Sequence, residues 1–130
     1  MTNRLIEAKK YLGWSEAKNK ASLTELLGFN PVTTSWCAGF VNAIERKCNA
    51  KGTGKLNARS FLKYGEPVDL ADVQPGDIIV FKRGLPWQGH VAYYVQDADD
   101  EILVLGGNQN DEVCYKHYDK KRIIGVRRPA

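Results

Sequence analysis

The sequence predicts an α+β fold in which N-terminal helices pack on a C-terminal antiparallel sheet of about five strands. Helical periodicities and helix end signals occupy the first half of the chain, and β-rich runs follow from Asp77 onward. When the two kinds of element are segregated along the chain, the simplest closure is a sheet with helices on one side. With 130 residues, 43% of them hydrophobic, the chain is predicted to form one domain over residues 1–130.

Apolar spacing and end signals predict four helices in the first half of the chain. They cover Leu5–Leu12, Ser22–Leu27, Cys37–Cys48 and Ala58–Tyr64. In the third helix the residues Cys37, Val41, Ile44 and Cys48 form an apolar stripe, and Asn42 and Glu45 are among the polar residues expected on the other side.

Runs rich in β-branched and aromatic residues, separated by turn residues, predict the strands. We expect them at Ile78–Lys82, His90–Gln96, Ile102–Leu105, Glu112–His117 and Ile123–Val126.

Cys37 is the candidate nucleophile. It follows Thr34 and Ser35, either of which could cap the helix that Cys37 begins. A thiol in the first turn lies at the positive end of the helix dipole, which stabilises the thiolate. The alternative is that Cys37 is a small buried apolar residue, as most free cysteines are.

A cysteine nucleophile needs a base, and the chain has two histidines. His90 is predicted at the start of a strand, a rigid position beside a loop, whereas His117 near a charged turn fits a surface histidine. We therefore expect Cys37 and His90 to form a thiolate–imidazolium pair. A third polar group should orient the imidazole, and Asn108, after the run Ile102–Leu105, is the candidate; an ordinary Gly-Asn turn is the alternative there.

Four residues are candidates for substrate binding. Trp36, Trp87 and Tyr93 could line a groove near the nucleophile, although aromatic residues are more often part of a core. Gln109, next to Asn108, is the fourth candidate.

Four motifs in order resemble the CHAP family of cysteine, histidine-dependent amidohydrolases/peptidases and the related NlpC-type papain-like hydrolases. They are Thr34-Ser35-Trp36-Cys37, Gln74-Pro75-Gly76-Asp77-Ile78-Ile79-Val80-Phe81, Gly89-His90-Val91-Ala92 and Gly106-Gly107-Asn108-Gln109. The resemblance runs from about Pro31 to Pro129. It implies a papain-like fold with Cys37 as nucleophile and His90 as general base. Many CHAP enzymes carry a carboxylate two residues before an asparagine at the third site; here those positions are Gly106 and Asn108, which leaves Asn108 to orient the histidine.

The resemblance also implies an activity. Family members cut amide bonds of bacterial peptidoglycan, and short stand-alone forms are often bacteriophage endolysins acting as N-acetylmuramoyl-L-alanine amidases or endopeptidases. An endolysin would need a holin, a membrane-permeabilising protein, to reach the wall. Three alternatives remain: a papain-like acyltransferase, a cell-wall-targeting toxin, and a non-catalytic wall-binding module.

The remaining expectations concern partners and location. The formal charge of +4 and pI near 9.0 favour approach to a polyanionic surface, and we expect this to be the bacterial envelope, not nucleic acid. Cys114 and His117 have a metal-like spacing but would point to opposite faces of a strand, so we expect no metal and no cofactor. No signal-peptide or membrane-spanning pattern is visible, so we expect the protein to be cytoplasmic in the producing cell. Three cysteines, an odd number without framework spacing, predict reduced thiols, and we also expect a monomer.

Overall fold

The structure is a computed structural model that describes residues 3–129, and it has the predicted α+β architecture. The predicted domain bounds, 1–130, include residues 1, 2 and 130, which lie outside the described residues. Three α-helices come first: α1 (Asn3–Lys9), α2 (Glu16–Leu27) and α3 (Cys37–Lys47). Six strands follow: β1 (Glu66–Pro67), β2 (Ile78–Lys82), β3 (Gly89–Ala98), β4 (Glu101–Gln109), β5 (Glu112–Asp119) and β6 (Ile123–Arg128).

All six strands belong to one antiparallel sheet with the order β1-β6-β2-β3-β4-β5. Strands β2 to β5 form a meander, and β6 returns to pair with β2 on the other side. All five predicted strands are confirmed, and the two-residue β1 is the addition. It carries Pro67 at the sheet edge, the position where a residue without an N–H is tolerated.

The helices differ from the prediction in three ways. Helix α1 covers Asn3–Lys9 and so ends three residues before the predicted end at Leu12. Helix α2 begins earlier than expected, at Glu16, because the Ser15 side chain accepts a hydrogen bond from the Lys18 N–H and caps it. It ends as predicted at Gly28, whose φ of 87° is easily reached by glycine. The predicted helix after Asn57 is a 3₁₀ helix over Ala58–Lys63.

The core lies on both faces of the sheet. One face packs against the helices and contributes Ile78, Val80 and Leu105, which are buried against residues of α3 such as Phe40 and Ile44. The other face has a second apolar cluster, partly covered by side chains from 68–73; the cluster comprises Ile79, Phe81, Ala92, Tyr94, Ile102, Val104, Tyr118 and Val126. Strands β2 and β3 thus bury alternate side chains on opposite faces of the sheet.

Glu45 is a correction to the predicted polar face of α3, because it is fully buried. Nε and Nη2 of Arg4 each donate to one oxygen of the Glu45 carboxylate at 3.0 Å, so the pair is bidentate. The Tyr64 and Tyr93 hydroxyls each donate to the same carboxylate at 2.7 Å. Asn42 is buried as well and anchors the loop at Thr53, whose N–H donates to Asn42 Oδ1 at 2.7 Å. Periodicity assigned these residues to the solvent side, whereas the fold supplies each with buried partners.

Over residues 3–129, no helix is both long enough and apolar enough to cross a membrane.

Candidate active site

Cys37 is the first residue of α3 and is almost completely buried, with 3% of its surface exposed. The predicted side-chain cap is wrong: Trp36 occupies the N-cap position without a side-chain hydrogen bond, and the Ser35 hydroxyl accepts from Asn108 Nδ2 at 3.1 Å. The first amides of a helix have no acceptor within it. The N–H groups of Cys37 and Ala38 are directed at the thiol.

Gly107 lets this end of α3 approach β4 closely. A Cβ at Gly107 would lie 2.7 Å from both Phe40 Cβ and Trp36 Cζ3, closer than van der Waals contact allows. Trp36 is also held by its indole N–H, which donates to Glu16 at 2.9 Å. The helix end that carries Cys37 is therefore fixed to the sheet and to α2.

His90 lies at the start of β3 as predicted and is 3% exposed. Its ring packs in the cluster on the sheet face away from the helices, with centroids 6.0 Å from Phe81 and 5.2 Å from Tyr118. Phe81 is its register partner on β2. Aromatic neighbours on two other strands thus hold the imidazole beside the loop between β2 and β3.

The Cys37 thiol contacts β3 at the residue that follows His90. The Cys37 thiol lies against the backbone N–H of Val91, which directly follows His90. Within residues 3–129, no hydrogen bond joins the thiol to the imidazole, whose one hydrogen bond is made by Nε2. Catalytic hydrogen bonds are often loose in a free enzyme and tighten only when substrate binds.

Gln109, rather than Asn108, contacts the histidine. His90 Nε2 and Gln109 Oε1 are 2.9 Å apart, and Gln109 is 1% exposed. The expected Asn108–His90 contact is wrong, because the Asn108 amide donates to Ser35 instead. The predicted substrate-binding role of Gln109 is wrong as well, because its buried amide binds His90 and the Cys114 carbonyl within the protein.

A β-bulge in β4 explains why Gln109, and not Asn108, contacts His90. Between Gly106 and Gln109 strand β4 contains one residue more than β5, since Gly106 pairs with Cys114 and Gln109 with Glu112. Asn108 has a φ of 57°, a left-handed conformation that asparagine tolerates better than most residues. The extra residue reverses the alternation of side chains, so Gln109 joins the face of Gly106 and His90.

Gly106 provides the space that Gln109 uses. A Cβ at position 106 would lie 2.8 Å from Gln109 Oε1 and 2.8 Å from the Ala92 Cβ. The position at which many CHAP relatives carry a carboxylate is therefore filled here by the end of the Gln109 side chain.

The hydrogen bonds of Gln109 define the tautomer of His90. Gln109 Nε2 donates to the Cys114 carbonyl at 2.7 Å, so Oε1 is the atom that faces the imidazole. An amide oxygen only accepts, and His90 must therefore carry its proton on Nε2. This leaves Nδ1 with a free lone pair. A carboxylate in place of the amide would put an oxygen against the Cys114 carbonyl.

Burial keeps both candidate catalytic groups neutral in the free protein. It raises the pKa of the Cys37 thiol, an effect that the N–H groups of Val91, Ala38 and Cys37 oppose only in part. The pKa of His90 is lowered to about 4, chiefly by burial; the hydrogen bond to Gln109 opposes this shift, and the positive charges of Arg83, Arg122 and Lys116 add to it. The expected thiolate–imidazolium pair is therefore wrong for the resting protein. The arrangement suits a neutral thiol beside a neutral base.

A polar cleft of about 570 Å³ opens beside His90. Its lining includes Ser35 and Gln109, together with Arg83, Asn108, Asn110, Asp111, Lys116, Tyr118 and Arg122. Two predicted substrate-binding residues are wrong, because Trp36 and Tyr93 are fully buried in the core. Trp87 is 69% exposed, in the loop between β2 and β3, and its proposed role stays a prediction.

Sequence reasoning missed Gln109 as the partner of His90 because the alternation of a regular strand puts residue 109 on the helix side. The available signal was the run Gly106-Gly107-Asn108, in which an asparagine after two glycines is typical of a backbone irregularity. The charged cleft was also missed. Lys116 and Arg122 are close in sequence, but Arg83 comes from another part of the chain, and no local pattern joins all three cations.

A helix-borne cysteine, a strand-borne histidine and an orienting amide on an antiparallel sheet define a papain-like hydrolase arrangement. The CHAP domain family model matches residues 29–108, more than half of the chain, and the protein belongs to this family. Comparison with curated proteins gave no match.

Two solved structures share the fold. The P60 domain of an M. avium paratuberculosis antigen has a TM-score of 0.53 and 16% identity over 72% of this chain. A lipoprotein-like NLP/P60 family protein of Staphylococcus aureus subsp. aureus Mu50 has a TM-score of 0.62 and 21% identity over 97% of this chain. This chain spans 63% and 40% of their respective lengths. The NlpC-type fold predicted from the motifs is confirmed.

Proposed function

We propose that the protein is a cysteine-dependent peptidoglycan hydrolase that cleaves an amide bond of the wall peptide, as an N-acetylmuramoyl-L-alanine amidase or an endopeptidase. One observation carries the proposal. The thiol at the start of α3 lies against the β3 residue next to His90, and Gln109 binds Nε2 of that histidine. An inactive wall-binding module would not need this arrangement.

In the proposed mechanism the substrate draws Cys37 and His90 into hydrogen-bond contact. His90 Nδ1 takes the thiol proton as Sγ attacks the amide carbonyl. Because both groups start neutral, the charge develops only during attack, when the Cys37 N–H can donate to the oxyanion. Loss of one such donor typically costs about 3 kcal/mol of transition-state stabilisation.

Collapse of the tetrahedral intermediate breaks the C–N bond, and the proton on His90 Nδ1 passes to the leaving amine. Water, deprotonated by His90, then attacks the thioester. This step releases the carboxylic acid, and the Cys37 thiol is regenerated. Gln109 holds the imidazole on its Nε2 side throughout, so that Nδ1 faces the reacting atoms.

The biological setting is a further part of the proposal. We propose a bacteriophage endolysin for host cell lysis, monomeric and cytoplasmic in the producing cell, which acts on the wall after a holin permeabilises the membrane. Membership in a family that includes many bacteriophage endolysins supports this setting over a bacterial toxin.

Purified peptidoglycan tests the activity. Incubation with wild-type protein should release peptide or sugar–peptide fragments, and Cys37→Ala should abolish the release. Cys48→Ala is the matched control, because Cys48 is a half-buried free cysteine at the far end of α3. Fragment masses identify the bond. Digestion by Cys37→Ala at the wild-type rate would exclude a cysteine mechanism, and transfer of the acyl group to an added amine in preference to water would indicate the acyltransferase alternative.

A further inference from the structure

Three cations surround the cleft beside His90. Arg83 comes from the loop after β2, Lys116 from β5, and Arg122 from the 3₁₀ turn before β6. Asp111 is the one carboxylate that shares the cleft lining with them in the described structure. The cleft beside His90 therefore carries a net positive charge, contributed by the loop after β2 and by the neighbouring residues Lys116 and Arg122 near the C-terminus of the chain.

These cations are not neutralised within the protein. Among residues 3–129, none of the three forms a salt bridge, whereas Arg4, Lys10, Lys120 and Arg128 each pair with a carboxylate. The Arg122 Nε donates one long hydrogen bond, to the Lys82 carbonyl at 3.4 Å. Like charges brought together without counter-charges repel one another, so the cluster does not serve folding.

Tyr118 links two of the cations to the catalytic histidine. Lys116 Nζ lies 5.4 Å and Arg122 Cζ 5.1 Å from the centroid of the Tyr118 ring, within the range of cation–π contacts. The same ring lies 5.2 Å from the His90 ring. The positive charges of Arg83, Lys116 and Arg122 each lower the pKa of His90, as expected for cations near the imidazole.

We infer that this cationic cluster binds a free carboxylate of the substrate next to the amide that is cleaved. A wall peptide carries one internal carboxylate of this kind when glutamate is joined through its side chain and its α-carboxyl stays free. Arginine forms paired hydrogen bonds with a carboxylate, and such charged bonds are stronger than neutral ones. The inference names the substrate class of the proposed active site and rests on that proposed function.

Binding to the inactive Cys37→Ala protein tests the subsite separately from catalysis. The probes are two stem peptides, L-alanyl-γ-D-glutamyl-L-lysyl-D-alanine, acetylated at the N-terminus and amidated at the C-terminus. They differ only in a free or amidated glutamate α-carboxyl. By calorimetry, we expect the free carboxylate to bind about 10-fold or more tightly than the amide. Equal affinities, or no binding of either peptide, would overturn the subsite.

Charge-removing variants locate the effect. In the Cys37→Ala background, Arg83→Gln/Lys116→Gln/Arg122→Gln should bind both peptides with the weaker affinity of the amidated one. The matched control, Lys18→Gln/Lys20→Gln/Lys63→Gln, removes three exposed lysines outside the cleft and should keep the preference. Loss of the preference in the control as well would mean that only overall charge matters, which contradicts a local subsite.

Cleavage by wild-type protein separates the two proposals. If kcat/KM is equal for free and amidated peptides while both are cleaved, the subsite is excluded and the hydrolase proposal stands. If peptidoglycan and peptides are not cleaved but Cys37→Ala still prefers the free carboxylate, the hydrolase proposal fails and the binding site stands. The triple variant Arg83→Gln/Lys116→Gln/Arg122→Gln with Cys37 intact gives a further test. If it loses activity only on walls that retain phosphate polymers, those polymers are the ligand and the carboxylate assignment is overturned.

Discussion

At the scale of single residues, the candidate site depends on which atoms of Gln109 face which partners. The amide donates to the Cys114 carbonyl and accepts from His90, so one side chain fixes both the orientation and the tautomer of the base. A carboxylate could not make both contacts, because it has no proton to donate. Gly106 is compatible with this solution, since a side chain there would collide with Gln109.

Gln109→Ala should therefore reduce kcat/KM on peptidoglycan fragments by roughly 10²-fold, below the loss of about 10⁴ that accompanies a reversed tautomer. Nitrogen-15 NMR of the imidazole should also show that His90 is no longer protonated on Nε2 alone. Asn108→Gly, which preserves the positive φ and removes only the bond to Ser35, should have the smaller effect. A larger loss in Asn108→Gly would restore Asn108 as the orienting residue.

At the scale of elements, α3 is fixed to the sheet at both ends by different means. Close packing of Trp36 and Phe40 on Gly107 holds the end with Cys37. The buried carboxylate of Glu45 holds the other end, because it binds Arg4 of α1 and Tyr93 of β3. Burial raises the pKa of Tyr93 well above its usual value, so its hydroxyl remains a donor.

Glu45→Gln should lower the free energy of unfolding by about 3 kcal/mol, because it removes the buried negative charge that pairs with the Arg4 guanidinium. Urea denaturation monitored by circular dichroism measures the change. Glu25→Gln, on the exposed face of α2, is the control and should change stability by less than about 0.5 kcal/mol. Equal effects of the two substitutions would argue against a structural role for the buried pair.

At the scale of the whole molecule, His90 couples stability to pH. Its pKa is lowered to about 4 in the folded protein, from an ordinary value of 6.5, chiefly because it is buried. The unfolded chain therefore takes up the proton first as the pH falls. The stability that neutral His90 contributes is complete above pH 6.5 and is lost between pH 6.5 and 4, by up to about 3 kcal/mol.

Unfolding free energies of wild type and His90→Gln at several pH values from 7.5 to 4 should therefore diverge, with the wild type showing the steeper loss toward low pH. His117→Gln is the matched control, since His117 is exposed and is the other of the two histidines. It should retain the wild-type slope. The same slope in wild type and His90→Gln would mean that His90 is not held neutral by burial.

The sequence by itself determined the fold class, the five longer strands, the helix that begins at Cys37 and the strand that begins near His90. These features depend on local periodicity, end signals and ordered motifs, all of which are visible in consecutive residues. The tertiary structure alone decided that Gln109 contacts His90, that Glu45 is buried, that the resting thiol and imidazole are neutral, and that three cations share one cleft. Each of these depends on a strand bulge, on desolvation or on contacts between distant segments, and local sequence does not encode their distances.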